Sequence, residues 1–285
     1  MQGKRIAVLG AGNMGTALLR GVLAAKWGRA KNCIATNPGT RKLDALKKEL
    51  GVQTTKDNRK ATAQADVVIL AVKPQILDNV LEEIAPAATA DKLFVSIAAG
   101  ATTTHIEELL GAVPVVRSMP NVAVTVREGA TAICPGTHAK RVHLDLSRTL
   151  FEAVGRVVEV PENLMDAVTG LSGTGPMYIF QIIEGLSDAG VKVGLSRAVA
   201  STLAIQTVVG AGRMAQDSGI HPGQLKDLVT SPGGTAITAL HSLERNRLRA
   251  ILMDAVEAAT DRSAELGAIH HPKAEKRLPE RERVA

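Results

Sequence analysis

The sequence predicts an α/β protein in which a doubly wound parallel sheet is followed by an all-helical domain. Short apolar runs alternate with longer helical patterns from Lys4 to about Val160, as in a parallel sheet with connecting helices. Several of these runs are apolar without strict alternation, which suits strands covered on both faces. After Pro161 only helical patterns remain. We therefore expect one domain over residues 1–161 and a helical domain over residues 162–270.

The strand patterns follow one another at regular intervals in the first domain. In chain order they are RIAVLG, NCIAT, DVVILAV, KLFVSIA, VPVVRSM, TAIC and RVVEV. In the second domain, AVASTLAIQTVVGAGRMAQ and AILMDAVEAATDRSAEL are helical patterns with few charges and apolar residues on more than one face. A helix that faces solvent should carry a polar stripe, so we expect these helices to lie in a subunit interface. A densely packed core of a monomer is the alternative.

Composition limits the classes of function. Of the 285 residues, 45% are hydrophobic, enough for a proper core. Cys33 and Cys134 belong to no CxxC or Cys/His pattern, so neither a disulfide framework nor a metal site is predicted. The chain has no signal-peptide core and no uncharged apolar run of membrane-spanning length. We expect a cytoplasmic protein without a membrane partner.

The charge of the chain is modestly positive. It has 34 basic and 28 acidic residues, a formal net charge of +6, and its aromatic residues are three Phe, one Trp and one Tyr. So few aromatic side chains cannot form the stacking platforms of single-stranded nucleic acid binders, and we predict no nucleic acid partner. A modest positive field suits an anionic small molecule better. The charged residues 271–285 are expected to form a flexible tail.

A glycine-rich segment, GAGNMGTAL, lies between the first predicted strand and the first predicted helix. Gly10, Gly12 and Gly15 have the G-x-G-x-x-G spacing of dinucleotide-binding loops. The spacing alone is weak evidence, but the strand before it, the helix after it and the following strand CIAT form a Rossmann-type context. We expect Gly10 to form the tight turn, Gly12 to admit the pyrophosphate and Gly15 to let the helix pack on the sheet.

The end of the second predicted strand favours NADP over NAD. An NAD-specific protein usually has a carboxylate here for the ribose 2′-hydroxyl. This chain has TNPGTRK, in which Thr36 and Asn37 are neutral donors and Arg41 and Lys42 are cationic. A 2′-phosphate would meet favourable partners in this segment. In the alternative interpretation, Arg41 and Lys42 are only the solvated start of the next helix.

Two later segments end strands on the same predicted edge of the sheet. They are AVKPQ, from Ala71 to Gln75, and SIAAG, from Ser96 to Gly100. Ligands of such sheets bind beyond the carboxyl ends of the strands, and the small residues of SIAAG leave room for a flat ring. Lys73 is a candidate catalytic acid or phosphate contact, and an exposed lysine at the end of a strand is the alternative.

The segment VTSPGGTAITAL, Val229 to Leu240, interrupts two helical patterns with proline and two glycines. These residues mark a turn, after which Thr235 stands where the next helix would begin. The unpaired N–H groups at such a helix start attract anions. The alternative is a tight turn between helices in which the threonine caps the second helix.

With the glycine loop, AVKPQ, RSMPN, GLSGTGPMY, DAGVKVGL and VTSPGGTAITAL in that order, the chain resembles the pyrroline-5-carboxylate reductase family over residues 4–267. The resemblance implies a Rossmann domain and a C-terminal helical dimerisation domain. It also implies reduction of the cyclic imine 1-pyrroline-5-carboxylate to L-proline by NAD(P)H, the last step of proline biosynthesis. Such reduction needs no strong general acid, because a protonated imine already accepts hydride.

The resemblance also assigns site residues. Substrate binding is implied for Gly233, Gly234, Thr235 and Ala236, with Thr235 and Ser231 as the catalytic candidates. The family usually has threonine at the position of Ala236, and its hydroxyl reaches the imine nitrogen; here the threonine is Thr235. Together with the charge argument for Arg41, the cofactor-binding candidates are Leu9, Gly10, Ala11, Gly12, Asn13, Met14, Asn37, Arg41, Asn58, Ala71, Val72, Lys73, Pro74, Ile97, Ala98 and Ala99.

Other functions stay open at this point. An NADP-linked β-hydroxyacid dehydrogenase also joins a Rossmann and a helical domain, but Ile179 stands where such enzymes have a lysine. A related cyclic imine reductase and a non-catalytic NADP-binding sensor are further alternatives. None of the seven histidines falls in a motif with an orienting carboxylate. Pro176, within a helical pattern, should free one main-chain carbonyl and bend the helix.

Overall fold

The computed structural model describes residues 3–26 and 28–270, which form two compact units. The described residues as far as Thr174, together with those from Ala258 onward, form one unit, and Gly175–Glu257 form the other. The predicted tail over residues 271–285 lies outside the described residues. Among the described residues, no helix has both the length and the apolar character needed to cross a membrane.

The first unit contains the predicted sheet, with one further strand, Gln53–Thr55, that the sequence patterns did not include. Within the described residues the sheet has eight strands in the order β3-β2-β1-β4-β5-β6-β7-β8. The strands are β1 Ile6–Leu9, β2 Cys33–Thr36, β3 Gln53–Thr55, β4 Val67–Leu70, β5 Leu93–Ser96, β6 Val115–Pro120, β7 Gly129–Pro135 and β8 Gly155–Glu159. Their connecting helices are α1 Asn13–Ala24, α2 Thr40–Leu50, α3 Asn58–Gln64, α4 Leu77–Ile84, α5 Thr103–Leu110 and α6 Arg141–Glu152. The doubly wound order is the predicted Rossmann-type fold.

The sheet departs from the expected parallel arrangement at one pair of strands. The strands β1 to β6 pair in parallel, whereas β7 runs antiparallel to β6 and β8 is parallel to β7. The connection from β6 to β7 holds only the short 3₁₀ helix Val122–Val126. A parallel crossover needs a dozen or more residues, so this short connection forces the chain to reverse direction.

Both faces of the sheet are covered by apolar residues. Along β1, Ile6 and Val8 join one core cluster, and Ala7 and Leu9 join the other. Residues of α1 and α6 complete the first cluster, and residues of α3, α4 and α5 complete the second. Each residue of β1 is therefore buried, which explains why the strand patterns are apolar without alternation.

The second unit is built from helices, as predicted. The first unit ends with α7 Met165–Val168 and a π-helical turn over Thr169–Gly173, and α12 Leu248–His270 begins in the second unit and continues into the first. The helices wholly inside the second unit are α8 Gly175–Lys192, α9 Arg197–Ser218, α10 Pro222–Leu228 and α11 Thr235–Arg245. The longest helix wholly inside this unit, α9, buries only Ala200 and Ala204. Many larger apolar side chains on α9 are exposed in the single chain, among them Val199, Leu203, Ile205, Val209 and Met214.

Candidate active site

The carboxyl ends of four neighbouring strands form one edge of the sheet. Leu9 pairs with both Thr36 and Leu70, and Leu70 pairs with Ser96, so β1, β2, β4 and β5 end at the same level. The loops that follow begin side by side, at the edge where open α/β sheets bind ligands. The candidate residues brought to this edge are Leu9–Met14, Asn37, Ala71–Pro74 and Ile97–Ala99.

The glycine loop has the backbone that a dinucleotide requires. Gly10 has a φ of +95°, and a Cβ there would lie 2.7 Å from the carbonyl oxygen of Ala71. At Gly12 nothing lies within 4 Å of a Cβ position, so the main chain is open to a ligand. A Cβ at Gly15 would collide with the carbonyl oxygen of Gly10. These three environments match the three roles expected from the sequence.

The start of α1 offers donors to an anion. Gly12 is the N-cap and has no side chain to cap the helix. The first main-chain bond into the helix is from Thr16 N–H to the carbonyl of Gly12. The N–H groups of Asn13, Met14 and Gly15 therefore have no acceptor in the helix, and together with the helix dipole they favour a phosphate group. The loop thus fits a pyrophosphate.

The hydroxyl of Thr36 is already hydrogen-bonded within the protein, whereas the sequence predicted it as a donor to the ligand. The residue is 2% exposed, its hydroxyl donates to Asn58 Oδ1 at 2.6 Å, and it accepts from the N–H of Gly10 at 3.3 Å. Asn37 is partly exposed, and its Oδ1 accepts from the N–H of Gly39 at 3.0 Å. Arg41 lies exposed in the first turn of α2. The candidate partners for a 2′-phosphate are therefore Asn37, Arg41 and Lys42, which is also exposed, but not Thr36.

Asn58 is the first residue of α3, and its hydrogen bond with Thr36 holds it beside the end of β2. Its Nδ2 donates to Glu83 Oε2 at 2.8 Å, and its main-chain N–H donates to Glu83 Oε1 at 3.1 Å. Glu83 belongs to α4 and had no place in any sequence motif. Lys73, between β4 and α4, is exposed and precedes the 3₁₀ turn Pro74–Ile76. Its position fits a contact with solvent or with an anionic ligand.

The turn before α11 belongs to the second unit. Gly233 has a φ of +66°, whereas Gly234 has a φ of −80° and is the N-cap of the helix. Thr235 is the first helical residue, as the sequence predicted, and the alternative in which Thr235 caps the helix is wrong because Gly234 is the N-cap. The N–H of Gly234 donates to the carbonyl of Ser231 at 3.0 Å, which removes it from the donors expected for a carboxylate.

The helix start nevertheless keeps three donors. The first intrahelical bond of α11 runs from Thr238 N–H to the carbonyl of Gly234. The N–H groups of Thr235, Ala236 and Ile237 therefore lack an intrahelical acceptor. A surface hollow at this point is lined by Gly233, Gly234, Thr235, Thr238, Ala239 and Ser242. Small and hydroxyl-bearing residues around open N–H groups form a place where a carboxylate can bind.

The motifs RSMPN and GLSGTGP meet in the first unit. Asn121, at the end of RSMPN, donates from Nδ2 to the carbonyl of Ser172 at 3.1 Å. A Cβ at Gly173 would lie 2.8 Å from Cε of Met119, so β6 packs closely against the π-helical turn. No sequence signal assigned a role to Asn121, because its partner is 51 residues away.

Titratable side chains give no evidence of thiol catalysis. Burial raises the pKa of the Cys33 thiol to about 11 and that of Cys134 to about 12, so neither forms the nucleophilic thiolate near neutral pH. His105 Nε2 lies 2.8 Å from Asp78 Oδ1, a histidine–carboxylate pair that no motif indicated because the residues are 27 positions apart. The pair joins the first turns of α4 and α5.

Comparisons with known proteins agree with the two-part organisation. Residues 5–100 match the family described as NADP oxidoreductase, coenzyme F420-dependent, and residues 162–266 match the family described as pyrroline-5-carboxylate reductase dimerisation. A pyrroline-5-carboxylate reductase of Methanosarcina acetivorans is 47% identical over 94% of this chain and 99% of its own. The chain belongs to the pyrroline-5-carboxylate reductase family. The resemblance predicted from the ordered motifs is thereby confirmed.

Solved structures of pyrroline-5-carboxylate reductases have the same fold. The structure from Coxiella burnetii superposes with a TM-score of 0.88 at 39% identity and covers 92% of this chain and 98% of its own. The structure of the Plasmodium falciparum pyrroline carboxylate reductase, described with NADP bound, has a TM-score of 0.84 at 34% identity and covers 94% and 99%. The β-hydroxyacid dehydrogenase alternative is not supported by these relatives.

Proposed function

We propose that this chain reduces 1-pyrroline-5-carboxylate to L-proline with NAD(P)H, the last step of proline biosynthesis. The observation that carries the proposal is membership of the reductase family over almost the whole chain. The open main chain at Gly12 and the donors at the start of α1 support dinucleotide binding at the sheet edge. NADPH bound there supplies the hydride.

We assign the dinucleotide to the candidates at the edge of the sheet. The pyrophosphate would lie over Gly10 and Gly12 and accept from the N–H groups at the start of α1. The segments Ile97–Ala99 and Ala71–Pro74 would line the space for the nicotinamide. Asn37, Arg41 and Asn58 would meet the ribose that carries the 2′-phosphate. The exposed guanidinium of Arg41 is the partner that most favours NADPH over NADH, because a guanidinium binds a phosphate by charge-assisted hydrogen bonds.

We assign the substrate carboxylate to the start of α11. The N–H groups of Thr235 and Ala236 would bind it, and Gly233 and Gly234 would leave the approach clear of side chains. The hydroxyls of Thr235 and Ser231 would serve as polar partners near the imine nitrogen, in place of the threonine usual at position 236. The hydride adds to the carbon of the protonated C=N bond and the electron pair of that bond becomes the nitrogen lone pair, so these residues orient the imine without donating a proton.

We infer a homodimer through residues 162–270. The match of residues 162–266 to a dimerisation family supports this assembly, as do the exposed apolar side chains of α9. A cytoplasmic location stays a prediction, which two free, buried cysteines suit.

The test is turnover of purified protein on cyclic imine carboxylates with five- and six-membered rings, each with NADPH and NADH. We expect the five-membered imine with NADPH to have the highest kcat/KM. Preference for the six-membered ring would reassign the protein as a related cyclic imine reductase. NADPH binding without oxidation on any imine would favour the sensor alternative. A Gly12→Val variant, which closes the open main chain, should lose NADPH binding and serves as the control.

A further inference from the structure

A chain of hydrogen bonds runs from the glycine loop to the surface of α4. The N–H of Gly10 donates to Thr36 Oγ1 at 3.3 Å, and the Thr36 hydroxyl donates to Asn58 Oδ1 at 2.6 Å. Asn58 Nδ2 then donates to Glu83 Oε2 at 2.8 Å. The main-chain N–H of Asn58 donates to the other carboxylate oxygen at 3.1 Å. Both oxygens of Glu83 therefore hold the same residue.

The carboxylate of Glu83 fixes which group donates and which accepts in each hydrogen bond of this series. An ionised carboxylate only accepts, so Asn58 must turn Nδ2 and not Oδ1 toward Glu83. Oδ1 then faces Thr36, whose hydroxyl has a single proton and gives it to Asn58. The lone pairs of that hydroxyl are left for the N–H of Gly10. Without Glu83, either orientation of the amide would be possible.

The orientation of the amide matters for an anionic ligand. Nδ2 of Asn58 has a second N–H, and no acceptor for it is found among residues 3–26 and 28–270. An N–H group favours a phosphate oxygen, whereas the reversed amide would place its own oxygen there and repel the phosphate. Each oxygen of Glu83 accepts one hydrogen bond from Asn58, so the carboxylate is directed at that residue.

We propose that Glu83 is a positioning residue for the dinucleotide, which acts through the amide of Asn58 and favours NADPH over NADH. The inference rests on the proposed function, since it takes Asn58 to lie against the ribose and its 2′-phosphate. Loss of the carboxylate frees the amide to rotate, which weakens the contact with the 2′-phosphate. Catalytic contacts with the imine are not involved.

The first experiment measures dissociation constants for NADPH and NADH by titration calorimetry. Glu83→Ala should raise the constant for NADPH about ten-fold, as expected for loss of one charge-assisted contact, and that for NADH only about two-fold. The KM for the imine at saturating NADPH should stay unchanged. Glu82→Ala is the matched control, because Glu82 is an exposed glutamate on the same helix and makes no hydrogen bond or ion pair within the described chain. Equal NADPH affinity in Glu83→Ala and wild type would overturn the proposal.

A double-mutant cycle separates positioning from a merely structural role. In an Asn58→Ala background, Glu83→Ala should leave the NADPH affinity unchanged, because the amide through which Glu83 acts is gone. The same ten-fold loss in that background would mean that Glu83 acts independently of Asn58, against the proposal. If the wild-type protein binds NADPH and reduces the imine but Glu83→Ala has no effect, the inference about Glu83 is wrong and the proposed function stands. If the wild-type protein neither binds NADPH nor reduces the imine, both the inference and the proposed function are wrong.

Discussion

The side chain of Asn121 binds the π-helical turn that precedes α8 through the main-chain carbonyl of Ser172. Asn121 Nδ2 donates to that carbonyl at 3.1 Å, across 51 positions of the chain. Asn121 Oδ1 accepts from the N–H groups of Ala123 at 3.2 Å and Ala130 at 3.3 Å. Pro176 is the second residue of α8, where a main-chain N–H has no intrahelical acceptor, so the expectation that it frees a helical carbonyl is wrong.

Asn121→Asp should lower the free energy of unfolding by about 2 kcal/mol, because it removes the donor to Ser172 and sets a carboxylate oxygen against a carbonyl. Urea denaturation of the variant and the wild type measures this effect. Asn246→Asp is the matched control: Asn246 donates to the carbonyl of Ser242 at 2.8 Å at an exposed site, and its loss should cost under about 1 kcal/mol. Equal costs for the two asparagines would contradict the argument.

Gly234→Val should abolish imine reduction and leave NADPH binding intact. The reason is steric, because a Cβ at Gly234 would collide with Oγ of Ser231 and a larger side chain would fill the approach to the helix start. The positive φ in this turn belongs to the preceding residue, Gly233, and not to Gly234. Steady-state kinetics and NADPH titration check the two effects separately. Normal turnover, or loss of folding seen by circular dichroism, would contradict the assignment of a carboxylate site and favour the alternative of a tight turn between helices.

Thr235→Ala should reduce kcat/KM by about one to two powers of ten, the loss expected from one polar contact with the substrate. Ala236→Thr should keep or raise activity, because it restores the hydroxyl usual in the family. Thr238→Ala serves as a comparison, since the Thr238 hydroxyl already donates to the carbonyl of Gly234 at 3.1 Å. An unchanged kcat/KM in Thr235→Ala would contradict the assignment of the polar contact to Thr235 and leave Ser231 as the remaining candidate.

Arg41→Ala should raise the KM for NADPH and leave the KM for NADH nearly unchanged. Arg41 is exposed at the start of α2, where its guanidinium can reach a phosphate. We expect a loss of about ten-fold in kcat/KM with NADPH for one charge-assisted contact. Lys47→Ala, in the last turn of the same helix, controls for the loss of positive charge. An NADH preference already present in the wild type would refute the cofactor assignment.

Leu203→Asp should weaken the dimer. Leu203 is 53% exposed on α9 in the single chain, and a carboxylate in an apolar interface is costly to desolvate. Light scattering at micromolar concentration should give a dimer or larger assembly for wild type and a smaller species for the variant. Val142→Asp changes a similarly exposed residue on α6 and should leave the assembly unchanged. An active wild-type monomer would show that the helices are not an interface.

Local sequence determined the parts of this protein that depend on neighbours in the chain. The buried strands, the turn at Gly10 and the start of a helix near Thr235 follow from apolar runs, glycine conformation and helix-breaking residues, which act within a few positions. The ordered motifs also determined the family. These features required no knowledge of what packs against them.

Only the tertiary structure decided which distant polar groups meet. Glu83 lies 25 positions from its partner Asn58, and Asn121 lies 51 positions from its partner Ser172. Hydrogen bonds between residues so far apart produce no periodic pattern in the sequence from which they could be predicted. The same holds for Thr36, whose hydroxyl looks like a free donor until the fold places Asn58 within 2.6 Å. The antiparallel direction of β7 likewise follows from the tertiary structure, because the connection from β6 is too short for a parallel crossover. At the buried residues Thr36 and Asn121 such pairing is favoured because a polar group buried without a partner costs free energy.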